Sequence, residues 1–235
     1  MTLVASAQTP PANLQIFLLI GQSNMAGRGA VEAPDRIPHE RVFMLTKELT
    51  WVPAVDPIHF DKPERIGVGL AKTFGAVVAD ADPTAVIGLV PAAFGGSALD
   101  EWMPGAPHYV NAVARAREAL KHGRLAGILW HQGESDSAPD KAATYVGRFA
   151  KMIAQLRADL GAGEVPVIVG ETGRFRADAA AINAALATVP ASVPHCAFVP
   201  ADGLGDKGDK LHFDTPALRE FGRRYARAWQ ELVRR

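Results

Sequence analysis

Cysteine is almost missing from this chain of 235 residues: Cys196 is alone, so no internal disulfide is possible. It sits in the strand-like run Pro194-His-Cys-Ala-Phe-Val-Pro200, where a small core residue fits better than a nucleophile. Neighbouring His195 would point to the opposite face of a strand and leave the thiol without a base. Excess charge of either sign is also absent, because 25 Lys and Arg balance 25 Asp and Glu. With no long basic run, the electrostatic footprint of a nucleic-acid or anionic-membrane binder is missing. No apolar run approaches the length of a membrane span, and no internal repeat or low-complexity tract occurs. Two catalytic signatures are lacking as well. There is no Gly-x-Ser-x-Gly elbow, and no His-Glu-x-x-His or His-x-x-Glu-His metal spacing.

What is present is an ordinary globular composition, 48% apolar, arranged as strands that alternate with amphipathic segments. Strands are expected at 16–20, 41–46, 85–90, 125–130, 165–169 and 196–199, with 49–52 completing a small hairpin. Helical spacing marks 68–80, 108–122, 139–160 and 178–188, and a last helix that Thr215 caps and Pro216 opens. Alternation of this kind predicts a mainly parallel sheet covered by helices on both faces, a three-layer α/β/α sandwich in one domain over 14–235. Residues 1–13 carry Ala5-Ser-Ala7 before Gln8, which reads either as a disordered start or as the end of a leader peptide. A secreted or periplasmic location goes with the second reading, a cytoplasmic one with the first.

Polar motifs sit where the expected strands end: Gly21-Gln-Ser23-Asn24, Gly95-Gly96-Ser97 and His131-Gln132-Gly-Glu134-Ser-Asp136. In a parallel sheet these ends share one edge, where open α/β folds place their ligands. Ser23 is then a candidate nucleophile, with helix capping as its alternative role. A nucleophilic serine needs a base and something to orient it. Of the seven histidines, His212 has a carboxylate, Asp209, three residues earlier on a turn-like loop. That spacing lets Asp209 hold Nδ1 and leave Nε2 free for a serine. The set His131, Glu134, Asp136, Asp209, His212 and Asp214 contains acids and imidazoles but no metal-ligand spacing, so neither metal nor cofactor is expected.

Taken in order, Gly-Gln-Ser23-Asn-Met-Ala-Gly, Gly95-Gly96-Ser, Trp130-His-Gln-Gly-Glu134-Ser-Asp and Asp209-x-x-His212 resemble the ordered blocks of the SGNH hydrolases. The resemblance is nearest to the branch of sialate O-acetylesterases and the acetylxylan esterases of carbohydrate esterase family 6. It implies a flavodoxin-like sheet and metal-free removal of acetyl groups from sugars through an acetyl-enzyme, with a small-molecule or oligosaccharide acetyl ester as substrate. It implies Ser23 as nucleophile, His212 as base and Asp209 as its partner. Glu134 corresponds to a position that assists the histidine, or else it makes a buried structural bond. The oxyanion donors implied are the N–H groups of Ser23 and Gly96, with Gly95 as alternative, and the amide of Gln132 in place of the superfamily's asparagine. Asn24, Trp51, Trp102 and Arg174 are candidate sugar contacts, with Arg176 close behind. A lipid or thioester hydrolase on the same fold and a non-catalytic carbohydrate binder are the alternatives.

Overall fold

A computed structural model of the protein describes residues 13–234, so the two readings of the N-terminal stretch fall, apart from Asn13, outside the described residues. Seven strands form one sheet in the order β3-β2-β4-β1-β5-β6-β7. They are β1 (Leu14–Gly21), β2 (Val42–Leu45), β3 (Trp51–Pro53), β4 (Ile87–Pro91), β5 (Gly123–His131), β6 (Val167–Gly170) and β7 (Cys196–Val199). Every pairing is parallel except the β2–β3 hairpin. The central strand β1 shows why: its residues are buried to both sides. Leu14, Ile16, Leu18 and Ile20 join one core cluster, and Phe17 and Leu19 join the other. Alternate side chains of a strand point to opposite faces, so a continuous apolar run requires helices above and below.

Those helices are α1 (Ser23–Ala26), α2 (Ala71–Ala81), α3 (Pro107–Ala119), α4 (Pro139–Asp159), α5 (Ala179–Ser192) and α6 (Thr215–Val233). Tyr109, Ala112 and Ala116 of α3, Tyr145, Phe149 and Met152 of α4, and Ile182 and Leu186 of α5 cover one face. Phe74 and Val78 of α2 and Leu218, Phe221 and Tyr225 of α6 cover the other. Phe17 meets Phe74 and Trp229 edge-on, with ring centroids 4.8 and 5.1 Å apart, which ties β1 to both helices of that layer. No helix among the described residues is long and apolar enough to cross a membrane.

One boundary differs from the sequence reading in a way that matters for the site. Asp214, not Thr215, caps α6: its backbone is extended and its side chain accepts from the Ala217 N–H at 2.8 Å. Thr215 is already helical and its hydroxyl donates to the Ala30 carbonyl. The aspartate cap thereby fixes the end of the His212 loop at the helix start.

β1 has β4 on one side and β5 on the other, so the chain reverses its winding there and opens a crevice beyond the strand ends. Gly21 makes the exit from β1 possible. Its φ is +129°, and a Cβ would lie 2.1 Å from the His131 carbonyl oxygen on β5. Gly21→Ala is expected to cost at least about 3 kcal/mol by combining backbone strain with a backbone clash. Denaturant unfolding checks this; a loss under about 1 kcal/mol would show that the strand exit relaxes freely.

Candidate active site

Ser23 is the first residue of the single turn α1, directly after β1. A helix start leaves its first N–H groups without intrahelical acceptors, so the Ser23 N–H is available to a ligand. The side chain is not a helix cap, because the residue before α1 is Gln22. Ser23 Oγ instead lies 3.0 Å from His212 Nε2, and His212 Nδ1 lies 2.8 Å from Asp209 Oδ2.

The loop between β7 and α6 shapes this pair locally. An Asp206–Phe213 bridge and a bond from the Lys207 N–H to the His212 carbonyl fold it back on itself. Asp209 Oδ1 accepts from the N–H groups of His212 and Leu211, at 2.8 and 3.0 Å, leaving Oδ2 for the imidazole. Partial burial pushes Asp209 upward. The bonds from the His212 ring and from the two N–H groups outweigh it, and the carboxyl is held well below its ordinary value. Asp209 is therefore ionised wherever a histidine titrates. Phe213 is the loop's anchor. It is fully buried and packs edge-on against Phe175 and Phe221, each 5.2 Å away, so the next residue back, His212, faces the crevice.

The turn after β4 supplies the facing wall. Gly95 donates its N–H to Asp61 Oδ2 at 2.8 Å, so it has none to offer an oxyanion. The N–H of Gly96 has no acceptor among the described residues, and its φ of +86° suits glycine. Asp61 itself is buried against Arg28, 2.8 Å away. Burial raises its carboxyl, yet the Arg28 guanidinium and the Gly95 N–H prevail and hold it low. This pair, spaced 33 residues apart, braces the turn and has no signature in the sequence.

Gln132 stands differently from the expectation. Its amide nitrogen donates to Asp136 at 2.6 Å and to the Ser97 carbonyl at 3.2 Å, and its oxygen accepts from Tyr145 at 2.7 Å. All of this is buried, so Gln132 fastens the β5 turn to the β4 turn. The glutamine that does line the crevice is Gln22, whose oxygen accepts from the Ser135 N–H at 3.3 Å. Gln22 follows β1 as Gln132 follows β5, so local sequence does not separate the two.

Four proposed sugar contacts are corrected. Trp51 is buried and packs on Gly88, where an added Cβ would meet its ring at 2.8 Å. Trp102 is buried too, donates to Ser97 Oγ at 2.8 Å and meets Trp130 edge-on. Neither ring is open to a ligand. Arg174 pairs with Glu171 and Asp202 away from the crevice, whereas Arg176 lines it. Asn24 is fully buried and bonds to Glu134 and to the His212 loop. The exposed aromatic near the crevice is Phe94, stacked on His108 with Lys62 5.7 Å from its centroid.

Glu134 accepts from Asn24 Nδ2 at 2.5 Å and makes no hydrogen bond to His212. His131, beneath it, is fully buried, and burial lowers its basicity. Its Nδ1 faces the Tyr225 hydroxyl at 3.1 Å, and that hydroxyl donates to the Trp130 carbonyl. Cys196 packs at the rim of the core, where burial pushes its thiol up to about 12 and keeps it inert. Among the described residues no cluster of His, Cys, Asp and Glu could hold a metal ion.

The crevice encloses about 610 Å³ and is lined by Ser23, His212, Asp209, Gly96, five cationic side chains and the acids Glu64 and Glu134. The cations are Arg28, Lys62, Arg65, Arg176 and Lys207. A larger cavity of about 860 Å³ lies at the opposite edge of the sheet, near Gln15, Leu125 and Trp229, and contains no serine or histidine.

Residues 13–231 match the model of a carbohydrate esterase family described as sialic acid-specific acetylesterase. The chain is 34% identical to the Probable carbohydrate esterase At4g34215 of Arabidopsis thaliana, over 94% of this chain and 92% of that protein. The crystal structure of the protein from that Arabidopsis locus superposes with a TM-score of 0.87 at 32% identity, covering 94% of this chain and 99% of that one. NanS shares the fold, with a TM-score of 0.79 at 20% identity, over 97% of this chain and 99% of that one. The chain belongs to this carbohydrate esterase family, in the SGNH-like branch, and is a carboxylic ester hydrolase.

Proposed function

We propose that the protein removes O-acetyl groups from carbohydrates by acyl transfer through Ser23. The observation that carries this reading is the unbroken chain Ser23 Oγ, His212 and Asp209, with contacts of 3.0 and 2.8 Å. His212 Nε2 takes the hydroxyl proton as Oγ attacks the acetyl carbonyl. The N–H groups of Ser23 and Gly96 receive the oxyanion, and the Gln22 amide lies along the same wall. One such donor is typically worth about 3 kcal/mol of barrier. When the tetrahedral intermediate collapses, the bond to the sugar oxygen breaks and His212 returns its proton to that oxygen. Water then repeats the sequence on the acetyl-enzyme, releasing acetate and restoring the serine. Asp209 stays ionised throughout and stabilises the imidazolium.

The charge of the crevice supports an acetylated sugar that itself carries a carboxylate. Arg28 is neutralised by Asp61, and Arg176 is engaged by Asp178. Lys62 has no carboxylate partner among the described residues and stands within 3.9 Å of where a Gly96 Cβ would be, beside the oxyanion wall. Acetate release from acetylated sialic acid, acetylated xylo-oligosaccharides and a short aryl acetate tests the reading. Preference for the sialate ester is expected, and Lys62→Met should reduce its kcat/KM relative to the xylan ester by about tenfold, the loss of one charge-assisted contact. A preference for acyl chains of eight or more carbons would move the protein to lipid esters. Absence of hydrolysis on every ester would leave a carbohydrate binder.

A further inference from the structure

The distance from Ser23 to His212 depends on how a loop without regular structure stands over a helical turn. The internal bonds of the loop set its shape but not its position above β1. Among the described residues, the hydrogen bonds that cross from this loop to the Ser23 turn number three, one being the Ser23–His212 contact itself. The other two belong to Asn24. Its Nδ2 donates to the Leu211 carbonyl and its Oδ1 accepts from the Phe213 N–H, both at 3.1 Å. These peptide groups flank His212 on either side. The remaining amide hydrogen goes to Glu134 Oε1 at 2.5 Å, and the side chain is fully buried.

Among the described residues Glu134 has no second donor. Its Oε2 is buried and unpartnered, and so is Nε2 of His131, 3.8 Å from Oε1. The Tyr225 hydroxyl donates to the Trp130 carbonyl, which leaves its oxygen to accept from His131 Nδ1; in that tautomer a neutral His131 carries no proton on Nε2. The carboxylate is thus spent on orienting one amide. An amide that is free to rotate presents donor and acceptor interchangeably; one whose second hydrogen is held by a carboxylate cannot.

We propose that Asn24, oriented by Glu134, is the positioning residue that holds the His212 loop in register over Ser23. This rests on the reading of Ser23 and His212 as nucleophile and base. Neither side chain hydrogen-bonds to Ser23 Oγ or to the His212 ring, and Glu134 acts on the histidine only through the Asn24 amide.

The experiment compares Asn24→Ala, Glu134→Ala, Glu134→Gln and the double alanine variant on a short aryl acetate, with Ser23→Ala as reference. Misplacement of a base by about 1 Å costs on the order of 10²-fold. Asn24→Ala should therefore lower kcat about 10²-fold with KM nearly unchanged. The downfield NMR signal of the His212 Nδ1 proton should persist, because Asp209 and His212 travel on the same loop. Glu134→Ala should match it, and the double variant should be no worse than either. Glu134→Gln, which keeps an acceptor for Asn24, should recover at least tenfold over Glu134→Ala. If Asn24→Ala does not fold, the two Glu134 variants carry the test alone. Equal loss in Glu134→Gln and Glu134→Ala would show that the charge serves the imidazole and overturn the proposal. So would Asn24→Ala within threefold of wild type, or additive losses. Full activity of Ser23→Ala would instead remove the underlying reading.

Discussion

Replacing Ser23 with alanine is expected to lower kcat on a short acetyl ester by about 10⁵-fold while leaving the fold intact. Removing a nucleophile that works as one unit with its base typically costs this much. The fold should survive because, among the described residues, Ser23 Oγ has a single hydrogen-bond partner, His212, at the crevice. One such bond is worth about 1 kcal/mol, or roughly 2–4 °C in Tm for a domain of this size. Asp209→Asn should be nearly as damaging, about 10⁴-fold. An asparagine can keep the acceptor used by the N–H groups of Leu211 and His212, but its amide nitrogen then faces His212 Nδ1. That forces the ring proton onto Nε2, where it cannot take the proton of Ser23. Stopped assays on both variants and labelling by a serine-directed organophosphate measure this. Label on another serine, or Ser23→Ala with more than a thousandth of wild-type kcat, contradicts the assignment.

Asp56→Asn should raise stability at pH 8 by up to about 4 kcal/mol and change it little near pH 4. Asp56 is buried with one acceptor bond, from the Gly69 N–H at 3.3 Å. Burial, reinforced by nearby Asp35, pushes its carboxyl up to about 7 against an ordinary value of 3.8. Between those two pH values the native state holds a proton that the unfolded chain has released. Stability therefore falls as pH rises through that window, by about 1.4 kcal/mol per pH unit. An asparagine offers the same acceptor with no charge to desolvate. His59 acts in the opposite sense: burial lowers it to about 3, so its contribution is present above the ordinary histidine range and is lost as pH falls toward 3. In wild type the two slopes oppose each other between about pH 4 and 6.5. Asp56→Asn should expose the rising slope due to His59. Denaturant melts of both proteins from pH 4 to 8 decide it, and parallel curves would mean that Asp56 is ionised in the native state.

Much of the architecture is written in local patterns. The apolar run of β1 has no polar face to show to water, which suits a strand covered on both sides, and the alternation of such strands with amphipathic helices makes the sheet parallel and three-layered. Once parallel strands are granted, the polar turns at 21–24, 95–97 and 132–136 must meet at one edge. The Asp209-x-x-His212 pairing is legible for the same reason, since three residues of loop hold the two side chains within reach.

What the tertiary structure alone decided concerns residues whose role depends on partners far away in the chain. Trp51 and Trp102 look like sugar platforms by type, but the packing of Gly88 and Trp130 against them makes them core. Gly95 and Gly96 are adjacent and equivalent by composition; Asp61, 34 residues away, occupies one N–H and so leaves the other. Gln132 has the chemistry of an oxyanion donor, yet Asp136, Tyr145 and Ser97 consume it. Asn24 reads as a crevice residue until the Leu211 and Phe213 peptides, nearly 190 residues away, are seen to close on it. Hydrogen-bonding capacity is a property of a residue and is visible in sequence, whereas which bonds are already made is a property of the fold.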